Sequence, residues 1–200
     1  MANVNQPSGL SPVGHLLGID WSQKTQRYYI ASNNGSAFAI GDPVALSGTS
    51  DANGVPGIVL ATAGTGNPVL GVIVSAGGPN YGGVSADPNN LNTTVIPATK
   101  TKAYYVDVVV DPYVLYQIQD DGSATLAVGD VSNNFNLVSG TNNGYVSGWQ
   151  LAANSAATTA TLQLQILRLA QIPNNVVGIN AKWIVRIVNH QFLAGTVGVA

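Results

Sequence analysis

The sequence contains no cysteine and no glutamate, and it carries very little charge. Without cysteine, no disulfide can hold the fold together and no thiolate can act as a nucleophile or zinc ligand, which suits a reducing cytoplasm. Only 8% of the 200 residues are charged, against about 25% in an average soluble domain. The net charge is −2, and the basic residues are few and scattered. A nucleic-acid-binding protein usually carries clustered lysines and arginines, so we expect no nucleic-acid partner.

Long apolar runs are absent as well. No stretch approaches the roughly 20 apolar residues of a membrane-spanning helix, and the first 20 residues lack the basic and apolar segments of a secretory signal. We therefore expect no membrane partner. Nevertheless, 46% of the residues are hydrophobic. Because charge usually keeps soluble monomers apart, we expect uncharged polar residues and, above all, contacts with other subunits to cover this surface.

The residues that are abundant favour turns and strands. The chain has 23 glycines and 10 prolines, and all nine acidic residues are aspartate. Glutamate and lysine favour helices, whereas aspartate, asparagine and glycine favour tight turns. The composition therefore predicts an all-β fold, an antiparallel β-sandwich or a barrel-like architecture of jelly-roll or β-tulip type.

Two segments lack a strand pattern. Residues 1–18 are polar and contain several prolines and glycines, which predicts an extended N-terminal arm that either frays or orders on a neighbouring subunit. Residues 19–200 are expected to form a single β-rich domain. Residues 76–94 are rich in Gly, Pro and Asn and predict a long loop. This loop either joins two β lobes or projects towards a partner.

Alternation of apolar and polar residues predicts the strands. They are expected at residues 27–31, 38–40, 57–61, 69–75, 95–97, 103–110, 114–119, 135–138, 148–151 and 181–188. The Asn34-Gly35 pair predicts a hairpin between the first two. In residues 158–170 the apolar positions change parity after Ile166. A bulge at Ile166-Leu167 would restore one apolar face, and a helix is the rival interpretation.

The adjacent carboxylates Asp120 and Asp121 are the first candidates for catalysis. Neighbouring residues in a strand point to opposite faces, so the two side chains would not converge on one substrate atom. Followed by Gly122, they predict a hairpin turn instead. The turns at Asp51 and Asp120 also lack the spacing and the closing glutamate of a calcium loop.

Other motifs for chemistry are missing. His15 and His190 are far apart in sequence, no GxSxG nucleophile motif occurs, and the glycines near residue 65 lack the lysine of a phosphate-binding loop. We therefore expect no enzymatic activity and no cofactor. The three tryptophans are expected in the core or at interfaces. The three arginines lie on apolar strands. They are expected either to pair with aspartates, within the subunit or across an interface, or to lie on an exposed strand face.

Four longer phrases then resemble one protein family. They are GDPVALSG (41–48), VDPYVLYQIQDDG (110–122), SAATTATLQLQILRL (155–169) and NNVVGINAKWIVRIVNHQF (174–192). Together they resemble the cement, or decoration, proteins of tailed-bacteriophage capsids. The similarity extends from about Gly41 onward and is densest from Val106 to Phe192.

The resemblance implies a β-rich protein on the outside of a phage head, made in the host cytoplasm. Its partners would be the major capsid protein and further copies of itself, as a dimer or trimer that reinforces contacts between capsid subunits. The candidate contact residues are Leu10, Leu16, Leu17, Trp21, Tyr81, Arg186 and His190. The alternative is another virion β module, such as a fibre base or a carbohydrate-binding module.

Overall fold

The computed structural model describes residues 3–22, 24–76 and 95–193. The described residues form fourteen strands and two single-turn 3₁₀ segments, Val128–Asp130 and Ala153–Ser155. The strands are β1 (Ser11–His15), β2 (Thr25–Ile30), β3 (Phe38–Ala39), β4 (Pro43–Ser50), β5 (Pro56–Leu60), β6 (Gly71–Ala76), β7 (Val95–Ile96), β8 (Tyr104–Val109), β9 (Val114–Gln119), β10 (Asn134–Phe135), β11 (Leu137–Val138), β12 (Gln150–Leu151), β13 (Leu164–Leu169) and β14 (Lys182–Ile187). The all-β prediction is confirmed.

Five strands close into a barrel in the order β2-β5-β4-β6-β8. The pairs are antiparallel except β2 with β5, which pair in parallel where Tyr29 faces Gly57. A Cβ at Gly57 would lie 2.5 Å from Ser47 Oγ, so glycine lets β5 approach β4 closely at this point. The barrel encloses its own apolar cluster, which includes Tyr28, Ile58 and Val106.

The second unit is a five-stranded antiparallel sheet in the order β1-β9-β14-β13-β10. One face of this sheet packs into the main hydrophobic cluster, which also contains Val72 and Val109 from the barrel. Sheet and barrel therefore share a core. The chain passes from β8 in the barrel to β9 in the sheet at Asp111-Pro112, where the strand was predicted to break.

The predicted bulge in β13 is confirmed. Pairing with β14 shifts register between Ile166 and Arg168. Ile166 belongs to the main cluster, Leu167 packs on the opposite face of the sheet, and Leu169 returns to the main cluster. One additional residue thus keeps the apolar side chains on both sides of the bulge in the same core.

An extended N-terminal arm is not confirmed. Within residues 3–18, β1 is the edge strand of the sheet and pairs with β9. Leu10 is 1% exposed and belongs to the main cluster. The strand has a register shift between Pro12 and Gly14, so its alternation is broken and the sequence pattern conceals it. The same proline and register shift also make it harder for a strand of another molecule to pair with the exposed edge of β1.

Two predicted hairpins are wrong. The Asn34-Gly35 turn follows β2, but β2 pairs with β5 and β8, and the next strand, β3, pairs with β7. Similarly, β9 pairs with β1 and β14 on either side, so the chain after Asp120 does not fold back on β9. In both places the turn residues end a strand, but they do not determine which strand pairs beside it. That pairing depends on residues far apart in the sequence.

The long loop of 76–94 falls mostly outside the described residues, as does Tyr81. The strands on either side of it are β6, which belongs to the barrel, and β7, which pairs with β3.

Candidate interaction surfaces

The predicted contact residues divide into exposed and buried positions. Leu16 and Leu17 are 44% and 66% exposed and stay candidates for contact with a partner. Leu10 and His190 are each 1% exposed. They are core residues in this fold, which corrects their assignment as contact residues. Trp21 is partly buried and packs against the edge of the main cluster.

Leu16 and Leu17 belong to an exposed apolar area that we call the 16–19 patch, formed by Leu16, Leu17, Ile19 and Tyr113. The backbone N–H of Leu16 donates to the carbonyl of Tyr113 over 2.8 Å, which joins the loop after β1 to the loop before β9. The backbone N–H of Leu17 donates to His15 Nδ1 over 3.2 Å. These bonds hold the apolar side chains outward on a fixed backbone.

A hydrogen-bonded pair of side chains, His15 and Asp111, lies beneath this patch. His15 Nε2 is 3.2 Å from Asp111 Oδ2, and the backbone N–H of Tyr113 donates to Asp111 Oδ1 over 2.9 Å. Burial acts to raise the pKa of Asp111, but the hydrogen bonds from Tyr113 and His15 outweigh it and lower the pKa. Asp111 therefore stays ionised and fixes the two loops that carry the patch.

A second apolar area, the 172–179 patch, occupies the loop between β13 and β14. It consists of the exposed side chains Ile172, Val176, Val177 and Ile179, together with Val4. Asn3 holds this loop, because its Nδ2 donates to the carbonyls of Val176 and Ile179, each over 2.9 Å. The N-terminal segment is thus part of the patch. Its sequence signal was the Val-Val-Gly-Ile run among asparagines, which sequence reasoning did not mark as a contact region.

The two patches lie at opposite ends of β9. Val114, at one end, pairs with His15 next to the 16–19 patch. Gln119, at the other end, donates through Nε2 to the carbonyl of Val4 in the 172–179 patch over 2.8 Å. Six residues of strand separate them by about 17–20 Å. The subunit therefore offers two separate apolar contacts.

Asp120 is a buried structural carboxylate. It is 0% exposed, and it accepts hydrogen bonds from the backbone N–H groups of Gly122 and Asn180 and from Trp183 Nε1. Burial raises its pKa. Asp121 turns away, and its Oδ1 accepts from Ser123 and from the backbone N–H of Ala153. The two carboxylates do not converge on a common point; they tie the end of β9 to neighbouring loops.

Of the three arginines, Arg27 alone makes an ion pair among the described residues. It contacts Asp107 across the β2–β8 pair over 2.8 Å, as predicted. Arg186 Nε instead donates to Gln165 Oε1 over 2.8 Å, and Arg168 is exposed. The tryptophan prediction also holds in part, because Trp149 and Trp183 are buried in the main cluster.

His190 makes stability depend on pH. Burial lowers its pKa from 6.5 to about 4, and its Nδ1 accepts the backbone N–H of Phe192 over 3.0 Å. The unfolded chain therefore binds a proton at a higher pH than the folded chain does. The contribution of His190 to the unfolding free energy is therefore fully present above pH 6.5. It is lost as the pH falls towards 4, and the total loss is about 3 kcal/mol.

Chemical denaturation of the wild type and of H190Q across this range checks the effect. We expect their difference in unfolding free energy to change with pH. Burial raises the pKa of Asp42 and Asp120, but these groups are common to both proteins and cancel in the difference. A pH-independent difference would show that His190 is not buried in its neutral form.

In residues 3–22, 24–76 and 95–193, no group of three or more histidine and aspartate side chains could hold a metal ion. Neither of the 3₁₀ turns in the described residues has the length or apolar character of a membrane-crossing helix. Comparison with known proteins found no matching family model, no matching curated protein and no matching solved structure.

Proposed function

We propose that this chain is a structural virion protein that binds the outer surface of a phage head as a homo-oligomer and cements neighbouring major capsid protein subunits. The observation that carries this proposal is the exposure of two apolar patches at opposite ends of β9 on a chain with only 8% charged residues. Exposed apolar groups of this kind mark interaction sites. The four phrases that resemble cement proteins agree with this role.

The fold suits a protein that must hold a shell together. The barrel and the sheet share one core, so the exposed patches are carried on a rigid scaffold and little order has to be gained on binding. In a symmetric shell each modest contact is repeated in every subunit, and the linked contacts add up to strong attachment. Such a clamp functions through buried surface and requires no reacting group.

Light scattering on purified protein tests the oligomer. We expect the wild type to be a dimer or trimer and L17D to dissociate at least about tenfold more readily, because the substitution places a charge in an apolar contact. V128D is the matched control, since Val128 is exposed but lies in neither patch. The variant V176D probes the other patch in the same way. A wild type that is monomeric at all concentrations would contradict the proposal.

A second candidate is a different virion module, either a fibre base or a carbohydrate-binding domain. The observation that favours it is the ring of Tyr145, which is largely exposed next to the turn at Asn142–Asn143 and could stack on a sugar. A glycan array distinguishes the two functions. We expect no binding; reproducible binding that is lost in Y145A would favour the second candidate.

A further inference from the structure

The face of the five-stranded sheet that points away from the core, here called the outer face, carries an unusual set of side chains. On β14, Trp183, Val185 and Ile187 belong to the main cluster. Because successive residues of a strand point to opposite faces, Lys182, Ile184 and Arg186 lie on the outer face. Leu115 and Leu167 pack beside Ile184 on this face. They form a small apolar centre that is largely covered, because Ile184 is 6% and Leu115 8% exposed.

Three cations surround that centre. Arg168 lies directly opposite Ile184 in the β13–β14 pair, and Lys182 and Arg186 lie two residues before and after Ile184. Diagonal neighbours in an antiparallel pair are about 7–8 Å apart. The strand positions of Lys182 and Arg186 are therefore each about this far from that of Arg168. The chain has seven basic residues in all, and three of them form this triangle around one isoleucine.

The triangle has no neutralising carboxylate in the five strands. Across the β9–β14 pair, Lys182 faces Gln119, Ile184 faces Gln117 and Arg186 faces Leu115. Across the β13–β14 pair, Arg186 faces Gln165. In the part of the chain that the structure describes, the carboxylates that contact a basic side chain are Asp107, beside Arg27, and Asp111, beside His15. Like charges this close repel one another, in a protein whose net charge is negative. An external group of opposite charge would relieve that repulsion.

From this arrangement we infer that the outer face binds an acidic protein surface, one that presents carboxylates to the three cations. Arginine favours carboxylates because its planar guanidinium can donate two parallel hydrogen bonds. The cations stand on strand positions about 7–8 Å apart, a spacing similar to that of side chains on neighbouring strands of a partner. The inference deepens the proposed function and rests on it for one point, namely that the acidic surface belongs to the capsid shell.

A nucleic acid fits this face less well. Tight binding to DNA commonly uses about 6–10 phosphate contacts, and the triangle offers three cations. The rest of the surface carries the excess of aspartate, which repels a long polyanion.

Binding to immobilised poly-L-glutamate at low ionic strength tests the face directly. We expect the double variant R168Q/K182Q to bind roughly tenfold more weakly than the wild type, since each exposed charge pair contributes modestly. K24Q/K102Q is the matched control because it removes two lysines elsewhere and leaves the same net charge. It should bind like the wild type. Thermal melts of both doubles verify that the fold is intact.

Equal binding by the two doubles would overturn the inference, because the charge of the whole molecule would then govern binding. Tighter binding to duplex DNA than to poly-L-glutamate, dependent on Arg168 and Lys182, would also overturn it in favour of a nucleic-acid face. Binding of the same proteins to heads assembled from the major capsid protein of the same genome separates the two proposals. Heads that bind neither the wild type nor the control reject the shell function, whereas heads that bind R168Q/K182Q as well as wild type reject only the acidic contact.

Discussion

L164D should prevent stable folding. Leu164 is 0% exposed at the start of β13, where it pairs with Ile187, and both belong to the main cluster. An aspartate there would be a charge without a partner in an apolar core, and the leucine contacts would be lost as well. Such substitutions fall in the exceptional class that costs about 4–5 kcal/mol or more of unfolding free energy. We expect insoluble protein or a melting transition that is greatly lowered.

The adjacent residue provides the control. Gln165 lies on the outer face and accepts a hydrogen bond from Arg186 Nε. Q165D places the same side chain one position further along the strand, where it can pair with a cation. Its unfolding free energy should stay within about 0.5 kcal/mol of the wild type. If L164D and Q165D melted alike, the assignment of the two faces of β13 would be wrong.

L10A should destabilise the protein by about 2–5 kcal/mol in unfolding free energy, the usual cost of truncating a buried leucine. Leu10 precedes β1 and packs in the main cluster, and its backbone N–H donates to the carbonyl of Gly41 over 3.0 Å. Deleting residues 1–18 would remove this side chain and the edge strand together, so we expect the truncated chain not to fold. Urea denaturation measures the loss for L10A.

L17A is the matched comparison. It also replaces leucine by alanine, seven residues further along the chain, but the side chain of Leu17 is exposed. Its stability should equal that of the wild type within about 0.5 kcal/mol. A fully stable L10A, or a stable and folded deletion of residues 1–18, would restore the interpretation of this segment as a detached arm.

Local patterns were sufficient to find most of the strands. The apolar runs of β8, β9 and β14 are clear in the sequence, and the change of parity in β13 located its bulge between Ile166 and Arg168. Local patterns could not give the closure of the barrel, which depends on the parallel contact of Tyr29 with Gly57. That pairing joins residues far apart in sequence, and no turn or periodicity encodes it.

The N-terminal segment and Asp120 were misjudged for related reasons. Pro12, Gly14 and a register shift hide the alternation of β1, so a paired edge strand looks like a polar arm. Asp120 has the sequence environment of a solvated turn, yet donors from Gly122, Asn180 and Trp183 compensate for its burial. Two of these donors lie about 60 residues away in the sequence, beyond the range of any local pattern.

The candidate surfaces were predicted only in part. Leu16 and Leu17 were predicted as contact residues and are exposed. The 172–179 patch also includes Val4 and is held by Asn3, and no local pattern places this N-terminal segment beside residues 172–179. The outer face could have been found from the alternation of Lys182, Ile184 and Arg186. Its third cation, Arg168, joins them only because the bulge brings it opposite Ile184.

The most direct test of the proposed function is made on DNA-filled heads that lack this protein, assembled from the major capsid protein of the same genome. Purified protein is added, and heating in the presence of a DNA-binding dye reports the temperature at which the heads rupture. We expect the wild type to bind at a fixed number of copies per head and to raise the rupture temperature. L17D and V176D should bind less and protect less. Heads that neither retain the protein nor gain heat resistance would contradict its role as a capsid cement.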